Sequence, residues 1–186
     1  PEMWTDETNA EEMIAATREW AEVSVADDGW VVVPVRSYVI RSQGQTIIVD
    51  TGQGEHSPFG TMDLEFRPEL GDYLGDLEAA GVDRSSVELV AMTHAHPDHI
   101  GGNTQLVDGV WEPTFANARY LLPEPDWALV QLFGELAEGP LLSLHERGVL
   151  DLVSADRALT EEVRFVASHG HTPGHVCVEI ESGGER

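Results

Sequence analysis

Six of the eight histidines in this 186-residue chain fall in two short segments, and any fold it adopts must place both. The first segment reads Thr93-His94-Ala95-His96-Pro97-Asp98-His99-Ile100-Gly101-Gly102, and the second reads His169-Gly170-His171-Thr172-Pro173-Gly174-His175. In a chain of this composition a His-x-His-x-Asp-His match has chance odds of roughly one in a thousand. Residues two apart in an extended loop project the same way, so His94 and His96 can grip one metal ion together. Neutral imidazole suits zinc, and a carboxylate supplies a harder oxygen to a second ion. Asp98 and His99 follow the bend at Pro97 and can address that different ion. Zinc centres commonly take a third protein ligand from elsewhere in the chain, and His171, on another loop, is the natural candidate. A lone histidine more often belongs to a surface, a cap or a core. Four ligand-type residues within six positions, with a second cluster downstream, favour metal binding.

Composition narrows the chemistry. The chain carries 34 Asp+Glu against 10 Lys+Arg, a formal net charge of -24, and every one of those cations is arginine. Without lysine there is no Schiff-base lysine, no phosphate-loop lysine and no lysine general base. Such an acidic surface disfavours nucleic acid and anionic membrane as partners. A single Cys177 cannot close an internal disulfide. No apolar run is long enough to span a bilayer, and the Pro-Glu-Met-Trp start lacks the features of a signal peptide, so a cytoplasmic location is expected. A small-molecule substrate is expected, with a homodimer allowed.

Periodicity sets out the elements. A helix is expected over about 10–21, with Asn9 and Glu12 at N-cap and N3 spacing. Strands are expected from Trp30 to Ile40 and from Gln45 to Asp50, joined by a turn at Ser42-Gln43-Gly44. Residues 51–68 read as a loop. Leu70, Tyr73, Leu74, Leu77 and Ala80 mark an amphipathic helix stopped by Gly81. Val87 to Thr93 and Ala118 to Leu122 read as strands, 126–147 as helical but interrupted at Gly139-Pro140, and Val163 to Ser168 and His175 to Glu181 as strands flanking the second histidine segment. The class is α/β or α+β in one domain over 1–186, with both histidine segments at strand ends where loops can converge.

Together these motifs resemble the metallo-β-lactamase-fold hydrolases. The first segment matches their His-x-His-x-Asp-His motif, His171-Thr172-Pro173-Gly174-His175 matches their downstream element, and Ile48-Val49-Asp50-Thr51-Gly52 resembles their early strand ending in Asp-Thr-Gly. Asn117-Ala118-Arg119-Tyr120 and Ser168-His169-Gly170-His171 are similar to the subgroup of N-acyl-homoserine-lactone lactonases and methyl-parathion-hydrolase-like enzymes. The resemblance covers about 30–182 and implies an αββα sandwich. It implies His94, His96 and His171 on a first metal and Asp98 and His99 on a second. Asp50 would stand behind the ligands and orient their loops, as ligating imidazoles generally require. His169 and His175 are read as loop hydrogen-bonding residues, His175 beside the ligands. Family members continue to a bridging Asp and a further His, and usually begin with an earlier strand. The chain is therefore expected to be an internal fragment, truncated at both ends, that binds at most one zinc tightly and has little activity alone.

The implied chemistry is zinc-dependent hydrolysis, with two zinc ions in the parent enzyme and iron, manganese or cobalt as other divalent choices. Metal-activated water would open a small lactone or ester, with Asp98 orienting the nucleophile. Organophosphate triester hydrolysis is the near alternative. Others are a mononuclear thioester hydrolase or persulfide-dioxygenase-like enzyme, and a non-catalytic metal-binding fragment. The 53–68 loop and the 124–147 segment would set specificity, with Phe59, Met62, Phe66, Trp127 and Phe133 as candidate walls, each as readily explained by packing.

Overall fold

The computed structural model describes residues 24–25, 31–32, 34–54 and 71–185. The chain divides into two compact units, Pro1–Pro34 and Val35–Arg186. In the first, β1 (Ser24–Val25) pairs antiparallel with β2 (Val31–Val32). The helix expected over 10–21 and most of the 51–68 loop lie outside the described residues, as do Phe59, Met62 and Phe66.

The second unit is built on a mixed five-stranded sheet ordered β3-β4-β5-β8-β9. β3 (Tyr38–Ser42) and β4 (Gln45–Val49) form an antiparallel hairpin. Its two-residue turn places Gln43 and Gly44 at φ 52° and 81°, the mirror-image turn that matches strand twist. β5 (Val87–Ala91), β8 (Arg119–Pro123) and β9 (Leu150–Val153) then add in parallel. The single strand expected from Trp30 to Ile40 is not continuous. Residues 34–37 are not strand, because Pro34 has no N–H to give to a ladder.

Alternation along these strands divides the apolar residues between two faces. Ile48, Val90, Tyr120, Leu122 and Leu150 join Leu77, Leu141 and Leu144 from the helical layer in one core. Ile47, Val49, Ala91, Leu121 and Val153 point the other way and pack under Val163, Phe165 and Val176. The latter belong to β10 (Val163–Ala167) and β11 (Val176–Ile180), an antiparallel pair that forms the second sheet. Helices, sheet and second sheet thus lie in successive layers. Each fully buried side chain of this kind contributes about 1.5–3 kcal/mol by leaving water.

Among the described residues of this unit the first helix, α1 (Tyr73–Ala79), starts at Asp72, whose carboxylate accepts from the N–H of Gly75 at 2.9 Å. Short helical turns fill 124–146, among them α3 (Val130–Phe133) and α4 (Leu144–Glu146). Their break falls at Gly134 (φ 52°) rather than at Gly139-Pro140, which sits inside a helical turn. Gly139 is demanded there by packing, since a Cβ would lie 2.6 Å from the ring of Trp111. Among the described residues four strands escape the periodicity reading: β1, then β6 (Thr104–Val107) and β7 (Val110–Pro113), which form a hairpin, and β9. Among the described residues no helix is long and apolar enough to cross a membrane.

Candidate metal centre

Parallel strands deliver the site residues from their C-terminal ends, the edge where α/β sheets place their ligands. β4 ends at Val49 and hands over to Asp50, β5 ends at Ala91 just before the first histidine segment, and the β10–β11 connection carries the second. A backbone bond from Val176 N to Thr93 O, 3.0 Å, joins the second sheet to the end of β5.

Asp50 organises the first loop. It is 6% exposed and adopts φ 54°, a left-handed conformation that Asp tolerates better than most residues. Its Oδ1 accepts from Thr93 N at 2.7 Å, and its Oδ2 accepts from Thr93 Oγ1 and from His99 Nδ1, each at 2.8 Å. The Thr93 hydroxyl has one proton, and the carboxylate can only accept, so that proton points to Asp50. Thr93 Oγ1, 3.0 Å from His94 Nδ1, must then act as acceptor for the His94 N–H. This relay sets the His94 tautomer and leaves a lone pair on Nε2. That nitrogen is buried and has no hydrogen-bond partner.

An unpartnered buried nitrogen costs about 1–3 kcal/mol, and here it faces company that can explain it. His94, His96 and His171 offer one ligand atom each, all within 4.8 Å of one another. His96 Nδ1 stands 3.0 Å from His171 Nε2. Three nitrogens on a tetrahedral zinc at about 2 Å would stand about 3.3 Å apart, so a small inward movement satisfies the ion. An orphaned lone pair, an all-imidazole donor set and this spacing fit a divalent metal.

Asp98 and His99 lie on the one-turn helix α2 (Pro97–Ile100), beside this trio. Asp98 Oδ2 is 3.5 Å from His99 Nε2. The His94 ring lies 4.0 Å from that of His99 and 5.0 Å from that of His175, centroid to centroid. His175 Nδ1 is 2.8 Å from Ser168 Oγ. His169 joins no such group among the described residues. Trp127 packs against the main core and against His145, 4.7 Å between ring centroids.

One organising residue escapes the motifs. Asp126, fully buried, accepts from Ala95 N at 2.9 Å and Thr172 Oγ1 at 2.8 Å through Oδ2, and from Gly174 N at 2.6 Å through Oδ1. The only local hint is an acidic residue in Pro123-Glu124-Pro125-Asp126, directly after a strand.

Proton affinities follow from this packing. Burial, reinforced by the neighbouring His99, His96, His171 and His175, pushes the His94 pKa down to about 2. His96 is lowered as well, by burial and by His171, against the opposing charges of Asp98 and Asp126. For His99 burial works against the charge, yet the Asp50 hydrogen bond and the charges of Asp50 and Asp98 outweigh it and raise its pKa. The unfolded chain therefore binds more protons than the native one at His94 and His96 below the free-imidazole value of 6.5, so their contribution is lost as pH falls. His99 acts oppositely: its contribution is complete below 6.5 and is lost as pH rises through its raised pKa. The metal-free protein is expected to melt highest near neutrality. On acidification toward about pH 5, His94 alone steepens the loss by about 1.4 kcal/mol per unit. Thermal melts in a chelating buffer check this, and a melting temperature that rises with acid contradicts it.

The layered fold and the three-imidazole centre at its strand ends define a metal-binding α/β protein. The model of the metallo-beta-lactamase superfamily matches residues 30–186, and the chain belongs to that superfamily. Its layered fold recurs in solved structures. "Hydrolase AbOPH in beta lactamase superfamily" is 18% identical over 98% of this chain and 62% of its own, with a TM-score of 0.73. An N-acyl homoserine lactone hydrolase, with N-hexanoyl-L-homoserine bound at its catalytic metal centre, is 23% identical over 83% of this chain and 62% of its own, TM-score 0.66. AidC, a dizinc quorum-quenching lactonase, is 22% identical over 79% and 52%, TM-score 0.58. The chain thus spans about three fifths or less of these structures' lengths. A search of the curated proteins finds no match.

Proposed function

We propose that the protein is part of a metal-dependent hydrolase that opens a small lactone or ester, with zinc as the metal. The observation that carries this reading is the buried, unpartnered Nε2 of His94 beside His96 and His171. The fold shared with AidC, a dizinc lactonase, and with a lactone hydrolase holding its product at a metal centre supports it.

His94, His96 and His171 would hold the first ion, and Asp98 and His99 would contribute to a second. A divalent ion bound there supplies Lewis acidity toward a carbonyl oxygen and acidifies water at neutral pH. Asp98 accepts a hydrogen bond from the attacking water at its carboxylate and so orients it. Asp50 holds His99 by its Nδ1–H and keeps the Nε2 turned toward Asp98. Water adds across the acyl C–O bond, and a lactone becomes a hydroxy acid. The net charge of -24 favours neutral substrates over polyanions.

A mononuclear centre, as in a thioester hydrolase or a dioxygenase, is the second reading. It is favoured by the fact that, among the described residues, only one group of three ligands assembles. Metal stoichiometry and a substrate panel separate the two. The full-length, metal-loaded parent enzyme should release acid from an acyl-homoserine lactone or an aryl ester faster than it cleaves a phosphotriester, and His96→Ala should abolish the release. A single iron with oxygen uptake would favour the second reading, and no turnover of any lactone or ester by that parent would refute the first.

A further inference from the structure

We propose that Asp126 is a positioning residue for the metal centre: it clamps the His94–His96 loop to the His171 loop so that the three ligating nitrogens meet. The inference rests on the metal-centre reading. Ala95 lies between the two ligands of the first loop, and Thr172 directly follows the ligand of the second. One oxygen, Asp126 Oδ2, accepts from both of these residues, so it fixes the separation of the loops and not the shape of either. Oδ1 binds Gly174 N on the far side of His171 and pins that loop at a second point. The contact is close enough that a Cβ at Gly174 would sit 2.8 Å from Oδ1.

Burial of a carboxylate is expensive unless its lone pairs are used. Asp126 is 0% exposed, and its three donors are two backbone N–H groups and one hydroxyl, all neutral. Packing alone would be served as well by an apolar residue of similar size. A buried anion whose charge is felt at His96 does something an apolar residue cannot: it favours a cation among the imidazoles. Carboxylates that hold ligand loops in this manner typically matter to metal affinity by 10–100-fold.

The test is zinc affinity of the 186-residue chain, measured by competition with a chromophoric chelator, with the visible spectrum of the cobalt-loaded chain as a second readout. Asp126→Asn keeps the shape but turns an N–H₂ group toward a donor and removes the charge. It should weaken zinc about 10–100-fold and alter the cobalt bands. Thr172→Val should weaken zinc several-fold while the metal-free protein, though less stable, stays folded at the assay temperature, and Thr172→Ser should restore wild-type affinity. A folded Asp126→Asn protein with wild-type affinity and spectrum overturns the proposal. If Asp126→Asn does not fold, the threonine pair decides: Thr172→Val at wild-type affinity, or Thr172→Ser no better than valine, overturns it. Failure of the wild-type chain to bind zinc sinks the metal-centre reading itself, whereas zinc binding indifferent to Asp126 and Thr172 sinks only the clamp.

Discussion

Replacing His94 with leucine is expected to weaken zinc binding by about 10²-fold or more while leaving the metal-free protein at least as stable as before. The first half follows from ligand arithmetic. Structural zinc sites with four ligands bind with about 10–16 kcal/mol, or about 3 kcal/mol for each ligand, and that converts to roughly two decades of affinity. The second half follows from the His94 surroundings. Its ring is 2% exposed, and its Nε2 has no partner. Leucine fills similar space without burying an unsatisfied nitrogen, which removes a penalty of about 1–3 kcal/mol. The bond lost from Nδ1 to Thr93 Oγ1 is neutral, worth about 1 kcal/mol, and Thr93 still donates to Asp50. A residue retained for packing would show the opposite pattern, with stability falling and zinc affinity unmoved. Chelator competition and thermal melts in the same chelating buffer measure both quantities. His145→Leu is the control: His145 packs at a tilt against Trp127, lies outside the ligand group, and should leave affinity unchanged.

How far the molecule could be read in advance depends on how local each signal is. His94, His96, Asp98 and His99 stand within six positions, and their chemistry makes the spacing informative before any fold is known. His171 is visible because a second motif surrounds it. Asp126 has no such neighbourhood: its three partners come from residues 95, 172 and 174, and only the folded chain brings them together. β9 is similar. Leu150-Asp151-Leu152-Val153 is too short for a periodicity to emerge, and parallel pairing with β8 makes it a strand. The β6–β7 hairpin is a different failure, since Asp108-Gly109 between two apolar-rich stretches is a strong two-residue turn signal, and φ values of 50° and 80° show that the turn forms. The break at 34–37 was legible too, because Pro34 lies within the expected strand.

Gly101→Ala is expected to destabilise the protein by about 3 kcal/mol or more, near the upper end for an overpacked site. The glycine closes the first metal-binding segment, where the chain runs backbone to backbone against the residues after Asp50. Thr51 N donates to His99 O at 2.7 Å, and Gly101 N donates to Gly52 O at 2.8 Å. A Cβ on Gly101 would lie 1.9 Å from the carbonyl oxygen of Gln53, and no rotamer can relieve a clash with main chain. The crowding is mutual, since a Cβ on Gly102 would meet Thr51 O at 2.3 Å and one on Gly54 would meet Gly101 O at 2.3 Å. For a chain of this size, 3 kcal/mol corresponds to a fall in melting temperature of about 10 °C. Gly148→Ala separates clash from backbone strain. Gly148 has φ +70° with nothing within 4 Å of its Cβ position, so alanine there should cost only about 1–2 kcal/mol. Equal losses at the two positions would show that the contact at Gly101 relaxes freely. A larger loss at Gly101, accompanied by weaker zinc binding, would show that the segment is rigid, because the ladder it disrupts is the one that sets His99 against Asp50.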